Sequence, residues 1–351
     1  MSATPQPQSF DVAIIGAGPT GLFSVFELGL LGLKAVVLDV LDKPGGQCAE
    51  LYPEKPIYDI PSWPVISGQE LTDKLMEQIA PFKAEFRLGR QVTNFSRRTD
   101  GRFELTTDAG DVIDAAAVFI AAGAGSFTPR RPKLAGLEAY EGTSIFYSVR
   151  NRGNLAGHDL LIAGGGDSAL DWANDLSEIA KSVTLVHRSD RFRAAPASVA
   201  RMRELEAEGK LTFIEGDLAS LTGENGALRQ ITLRTKAGER HVDATRLLAF
   251  YGLNIELGPI AQWGLDLADG KQIRVDTEKF ETSTPGVFAV GDINFYPGKL
   301  KLILSGFHEA ALASQAAFRI ARPDQKLRFQ YTTSSSELQQ RLNVGNANLA
   351  A

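Results

Sequence analysis

Two stretches of this chain share one design and finish in opposite charges. Gly16-Ala17-Gly18-Pro19-Thr20-Gly21 follows the apolar run Val12 to Ile15, and an acid, Asp39, stands 23 positions after Gly16. Gly164-Gly165-Gly166-Asp167-Ser168-Ala169 follows Leu160 to Ala163, and His187-Arg188 begins 23 positions after Gly164. Each stretch reads as a strand, a tight glycine turn, a helix and a second strand. Glycines let the backbone approach a pyrophosphate, and the helix N-terminus offers unpaired N–H donors at the positive end of its dipole. The residue closing the second strand faces the ribose: a carboxylate suits a free diol, cationic groups suit a 2′-phosphate. One such turn is weak evidence, but two with matched spacing predict a chain that holds two dinucleotides, with NADPH preferred over NADH at the second.

The separation of the turns, 148 residues, supports two doubly wound units and argues against a tandem solenoid. At 351 residues and 44% hydrophobic content the chain can bury a large core. Along the first unit, Thr20 to Leu31 has helical spacing, Ala35 to Leu38 reads as a buried strand, and Leu71 to Phe82 as a helix. A proline-rich loop is expected between Gly46 and Gly68. Phe103 to Thr107 and Val112 to Asp114 read as a hairpin, and Val118 to Ala122 as a separate buried strand. In the second unit the helix spans Ser168 to Ile179 and the strand Val183 to Val186. Leu211 to Glu215, Leu228 to Arg234 and Leu247 to Phe250 read as further strands. Thr284 to Asp292 is expected to form a turn and a buried strand with an acidic end, and Phe307 to Ile320 a helix. The tail, Thr332 to Ala351, is polar and is either disordered or docked, with only Glu337 to Leu342 helical.

A net charge of −5 argues against nucleic acid as the main partner. Met1 to Ser9 lacks the apolar core of a secretion signal, and Leu22 to Leu38 contains Glu27, Gly29, Gly32 and Lys34, unlike a membrane span. A soluble cytoplasmic protein is expected. The single cysteine, Cys48, permits no disulfide within the chain, leaving a packed thiol or an interchain pair. His158, His187, His241 and His308 show no metal-ligand spacing, so no metal is expected. His187, Arg188 and Arg193 form either a solvated cationic loop or a phosphate site with bidentate guanidinium groups. Asp292, after Gly291, is either an acceptor for a polyol chain or a helix cap.

These residues together resemble the thioredoxin reductase superfamily, over Phe10 to about Leu342. The supporting segments are the two glycine turns, Gly45-Gly46-Gln47, the run His187-Arg188 to Phe192-Arg193-Ala194, and Val290-Gly291-Asp292. Thioredoxin reductases carry a Cys-x-x-Cys pair shortly before the second turn, where this chain reads Ser144 to Asn151 without cysteine. Electron delivery by dithiol exchange is thereby excluded. Gln47-Cys48-Ala49-Glu50-Leu51-Tyr52-Pro53-Glu54-Lys55, Gly164 to Trp172 and the tail from Tyr331 are similar to the thioredoxin-reductase-like ferredoxin–NADP⁺ reductases of bacteria.

The resemblance implies an α/β chain of two Rossmann-like, three-layer ββα dinucleotide-binding domains. An FAD-binding domain, residues 1–127 and 255–351, would be interrupted by an NADP-binding domain, residues 128–254. FAD contacts are implied at Gly16, Gly18, Thr20, Gly21, Asp39, Gln47, Tyr52, Val92, Phe127, Asp292 and Thr333. NADP contacts are implied at Gly164, Gly166, Asp167, Ser168, His187, Arg188 and Arg193. Tyr52 and Tyr331 would stack on opposite faces of the flavin, and no side chain need act as a nucleophile. The implied partner is ferredoxin, or flavodoxin, and the implied assembly is a homodimer whose tail covers the partner subunit's flavin. Hinges are expected near Phe127 and Gly252 to Asn254. Lys83, Arg87 and Arg90, or Arg130, Arg131 and Lys133, are candidate ferredoxin-docking cations. A rival enzyme is an NADPH-dependent flavin or quinone reductase. A flavin monooxygenase lacks a substrate-domain insertion here, and a non-catalytic nucleotide-sensing flavoprotein is a third class.

Overall fold

The first apolar run forms strand β1 (Gln8–Ile15), and alternation of its side chains sorts them between the two faces of a sheet. Val12 and Ile14 enter one core cluster, Ala13 and Ile15 the other. The computed structural model describes residues 8–327 and 331–342, and the side chains of 126–128 and 253–255 lie outside that description. The chain divides into two compact units, one of residues 1–126 with 255–351 and one of residues 127–254.

Helix α1 (Pro19–Leu30) opens with proline in its first turn, where the missing N–H leaves no intrahelical bond unmade, and leads to β2 (Ala35–Asp39). Next come α2 (Gly46–Leu51), the short pair β3 (Pro56–Ile57) and β4 (Ile66–Ser67), and α3 (Gly68–Ile79). The expected proline-rich loop is therefore half structured. Its prolines begin only at Pro53, so nothing stops a helical turn over Gly46–Leu51. Strands β5 (Glu85–Leu88), β6 (Val92–Arg97), β7 (Phe103–Thr107) and β8 (Val112–Ile120) complete this half.

Strand β8 corrects the expectation of two separate strands over this stretch. Its first half pairs antiparallel with β7, from Val112↔Thr106 to Ala115↔Phe103. Its second half pairs parallel with a strand that returns much later in the chain. From Ile113 to Ile120, β8 pairs parallel with β1 on its other edge. A change of partner part-way along one strand looks, in sequence, like a break.

The chain crosses into the second unit through β9 (Ser126–Pro129). There β10 (Ile145–Phe146), β11 (Asp159–Ala163), α4 (Asp167–Leu176), β12 (Ser182–His187), α5 (Pro196–Ala207) and β13 (Thr212–Glu215) follow. A meander, β14 (Asp217–Glu224), β15 (Ala227–Thr235) and β16 (Gly238–Asp243), precedes β17 (Arg246–Ala249). The parallel order is β10-β17-β11-β12-β13. Leu160 and Ile162 face Leu170, Ala173 and Met202 from the helices, while Leu161 and Ala163 face Ile231 and Leu233 of the meander. Helix, parallel sheet and antiparallel sheet make three layers.

β18 (Leu253–Glu256) pairs with β9 and carries the chain back to the first unit. There β19 (Leu267–Ala268), β20 (Gln272–Arg274), β21 (Val287–Ala289), β22 (Asn294–Phe295), the long α6 (Ile303–Ala321) and α7 (Ser336–Arg341) end the fold. The main sheet runs β5-β2-β1-β8-β7-β6, with β21 as the later partner of β8. Leu22 and Leu28 of α1, Leu71 and Leu75 of α3 and Ala313 and Ala317 of α6 share one buried cluster against the sheet.

Candidate functional site: two glycine turns with opposite ends

Both turns are closed by the same backbone bond. Gly16 N donates to Leu38 O at 2.8 Å, and Gly164 N donates to Val186 O at 3.0 Å. Gly16 has φ +112° and a side chain on it would lie 2.3 Å from Ala121 O, so only glycine fits there. Gly164, at φ +153°, meets Phe250 O in the same way at 2.5 Å. Gly21 lets α1 pack on the turn, since a Cβ there would stand 1.9 Å from Gly16 O. Neither α1 nor α4 has a side-chain cap, so both leave their first N–H groups without an internal partner.

The first turn collects the residues expected around it. Asp39 Oδ2 accepts from Ala17 N at 2.6 Å and Oδ1 from Leu41 N at 2.8 Å. Burial raises the Asp39 pKa, and the surrounding backbone N–H groups oppose the rise. Gly45 N donates to Ala17 O at 2.8 Å, and a Cβ on Gly46 would lie 2.9 Å from Gly18 Cα. The Gln47 amide nitrogen sits 3.6 Å from the position a Cβ on Gly123 would take. Gly291 and Gly306 both crowd Thr20, with added Cβ atoms 3.0 and 2.2 Å from its Oγ1. Burial raises the Asp292 pKa, while Lys299 and Lys301 lower it. Asp292 in turn exerts its charge on Cys48 and Tyr52.

Tyr52 and Cys48 lie together, with Cys48 Sγ 3.8 Å from Tyr52 Oη. Burial pushes the Cys48 thiol up to about 11 and the Tyr52 hydroxyl higher still. Such a thiol is a packed group, not a nucleophile. Val92 is buried at the start of β6, two residues after Arg90, whose N donates to Asp39 O at 2.8 Å. Tyr331 and Thr333 are not brought to the turn. Both are exposed on a segment anchored at the opposite end of α1, where Leu338 is buried and Arg341 donates to Leu30 O at 2.5 Å. The side chain of Phe127 lies outside the described residues, as do those of Leu253 and Asn254 at the expected hinge and all of residues 343–351 of the tail.

The second turn is built differently below the backbone. The His187 ring fills the space beside Gly165, where a Cβ would lie 2.4 Å from Nε2. It stacks on Phe192 at 5.6 Å, Phe192 meets Phe213 at 5.3 Å, and the Arg203 guanidinium lies 5.0 Å over Phe213. This stack was not foreseen, because it joins β12, β13 and α5. Its one sequence signal was the aromatic Phe192 inside a cationic loop. Burial lowers the His187 pKa, and Arg188 and Arg193 act the same way. The loop folds back over the turn: Arg193 N donates to Gly165 O at 2.7 Å and Ala195 N to Asp167 Oδ1 at 2.8 Å. Gly166 has open space above it, and Ser168, Arg188 and Arg193 are exposed. Neither Arg188 nor Arg193 is ion-paired among the described residues.

A family model described as pyridine nucleotide-disulphide oxidoreductase matches residues 10–317. The chain belongs to that family. A ferredoxin–NADP reductase of Mesorhizobium japonicum is 58% identical over 337 residues, covering 96% of this chain and 98% of the relative. One of Parvibaculum lavamentivorans is 57% identical over 335 residues, covering 95% and 97%. The chain therefore falls in the thioredoxin-reductase-like ferredoxin–NADP reductase branch of the pyridine nucleotide-disulphide oxidoreductases. Among solved structures, a Lactococcus lactis thioredoxin reductase aligns with TM-score 0.74 at 25% identity, covering 90% of this chain and 99% of that one. The T. acidophilum thioredoxin reductase has the same TM-score at 24% identity, covering 88% and 98%, and speaks to the fold alone.

Membership brings two cofactors, FAD and NADPH. The cradle of the first turn fits the former: a Cβ-free backbone at Gly16, Gly18 and Gly46, uncapped helix amides and a carboxylate, Asp39, at the end of β2. The open space over Gly166 and two unpaired guanidinium groups fit the latter. Among the described residues no His, Cys, Asp or Glu cluster has the form of a metal site, and no helix is long and apolar enough to cross a membrane.

Proposed function

We propose that this oxidoreductase works as a ferredoxin–NADP reductase, with FAD on the first glycine turn and NADPH on the second. The observation that carries the reading is the pairing of one backbone design with a carboxylate end in one unit and unpaired guanidinium groups in the other. Asp39, already oriented by Ala17 N and Leu41 N, presents its remaining lone pairs to the ribose diol of FAD. The uncapped N-terminus of α1 takes the pyrophosphate, Asp292 the polyol chain, and Tyr52 one face of the ring system. Gln47, Val92 and Phe127 are the remaining contacts within the chain, and Thr333, on the same tail as Tyr331, is a contact to the flavin of the partner subunit. In the second unit the α4 N-terminus takes the pyrophosphate of NADPH, while Arg188 and Arg193 hold its 2′-phosphate.

Flavin supplies the conversion of a hydride from NADPH into two single electrons for an iron–sulfur protein or flavodoxin. The chain's own residues bind, orient and exclude water. Cys48 takes no part, since a lone buried thiol has no second sulfur with which to exchange. The protein acts in the cytoplasm as a homodimer, with Tyr331 of each tail laid over the partner subunit's flavin. The 69% exposure of Tyr331 within one chain supports that placement. Of the two candidate docking clusters, one contains its own neutralising acids: Arg87 pairs with Glu85 and Asp111, and Arg90 with Asp111. In the other, Arg131 is paired with Glu141. Lys83 in the first cluster and Lys133 in the second are exposed and in no ion pair among the described residues, and these are the cations proposed to face ferredoxin.

A coupled assay tests the reading. NADPH should bleach the bound flavin, and cytochrome c reduction should then require added ferredoxin. Bleaching with full cytochrome c or quinone reduction in the absence of ferredoxin would favour a flavin or quinone reductase. Absence of bleaching would reject both enzymes.

A further inference from the structure

Glu309 lies on the sheet-facing side of α6 and is fully buried, an unusual place for a carboxylate. Four donors surround it. Gly291 N and Asn294 Nδ2 reach Oε2 at 2.7 and 2.8 Å, Tyr296 Oη reaches Oε1 at 3.0 Å, and Lys299 Nζ pairs with the same oxygen. The Lys299 side chain is only 4% exposed. Asn294 also donates to Ala289 O at 2.9 Å, while its own Oδ1 is buried with no partner. Glu309 thus gathers the end of β21, the Gly291–Asp292 turn and the loop after it onto a single side chain.

A buried ion pair is seldom the most stable filling for such a space, because both charges lose their water. This one sits directly behind Asp292, and its two charges act on that residue with opposite sign. Among the described residues, Lys301 on the same loop also acts on Asp292, and Asp292 acts on Cys48 and Tyr52 from α2 and its end.

We propose that Glu309 and Lys299 are positioning residues for the flavin seat. The carboxylate fixes the Gly291–Asp292 turn, the ammonium offsets its charge, and the balance of the two sets the electrostatic potential at the seat. The inference rests on the reading that FAD occupies the first glycine turn. Reduced flavin carries more negative charge than oxidised flavin. An uncompensated cation behind the turn therefore favours reduction, and an uncompensated anion disfavours it.

The test is a redox titration of FAD-loaded Glu309→Gln, Lys299→Met and the double variant, with FAD content measured in each. Glu309→Gln should raise the midpoint potential and Lys299→Met should lower it. In each case the ratio of affinities for oxidised and reduced flavin changes at least tenfold, about 30 mV for a two-electron couple. The double variant should return close to the wild-type value. Shifts of the same sign in both single variants, or no shift, would overturn the proposal, since a purely structural pair would move both alike. If Glu309→Gln fails to accumulate as holoprotein, the double variant decides. Recovery of loaded protein with a near-wild-type potential supports the pair, and failure to recover overturns it. Gly16→Val separates this from the underlying reading: FAD retained with unchanged affinity would mean that flavin does not sit at the first turn at all.

Discussion

His187 shows how a residue chosen for its charge can be placed for its ring. Lodged beside Gly165 and against Phe192, it is held below its ordinary value of 6.5, first by burial and then by Arg188 and Arg193. A depressed folded pKa means that the unfolded chain binds more protons below pH 6.5, so stability rises with pH there. The contribution is present above that pH and is lost as pH falls through the folded value. His158 has the same sign, again from burial first. The melting temperature should therefore fall on acidification below about pH 6.5, and His187→Phe, which keeps the ring stack, should flatten part of that slope. An unchanged slope in the variant would show that His187 titrates as an ordinary surface group. Cys48 gives a second residue-scale expectation. Its rise from 9.0 to about 11 leaves roughly a hundredfold less thiolate near neutral pH. Iodoacetamide should label native protein at least that much more slowly than urea-unfolded protein, and equal rates would contradict the buried thiol. Asp39 and His187 were legible as strand-end residues at a fixed spacing. Glu309 and Lys299 were not, because ten positions of loop and helix separate them and only the fold turns one toward the other.

Among the elements, the repeated strand–turn–helix–strand units were readable because periodicity and glycine spacing both depend on neighbours in sequence. What escaped depends on partners far along the chain. Strand β8 is continuous because β7 and β21 divide its edge between them. Strands β14 and β16 were unforeseen because neither fully buries a residue and β16 is exposed at five of its six positions, so no strong apolar signal marks them. The tail is the sharper case. Its composition left disorder and docking open, yet Leu338 is 7% exposed and Ser335 caps α7 by accepting from Leu338 N at 3.3 Å. Leu338→Ala should cost the docked helix roughly 2 kcal/mol and speed amide exchange across residues 335–342 about thirtyfold. Exchange at an unaltered rate would mean that the helix is held by something other than this side chain.

For the whole molecule, the opposed ends of the two turns make a prediction about nucleotide choice. Replacing both Arg188 and Arg193 by glutamine should lower kcat/KM for NADPH roughly a hundredfold, given the strength of charge-assisted hydrogen bonds, and leave NADH much less affected. Equal losses with the two nucleotides would place the 2′-phosphate elsewhere.

The insertion of one unit within the other also fixes an order of synthesis. Every strand of the parallel sheet β10-β17-β11-β12-β13 is made before residue 255, so the inserted unit can close its core while the ribosome still holds the rest. The surrounding unit cannot. Its strand β8 waits for Val287–Ala289, and α1 waits for α6 to cover Leu22 and Leu28, more than 160 residues after β8 is complete. During that interval an apolar sheet edge and one helix face stand open on the nascent chain. The enclosing half is thus the part of this enzyme most exposed to chaperones and to aggregation at birth, and the embedded half is the part already safe.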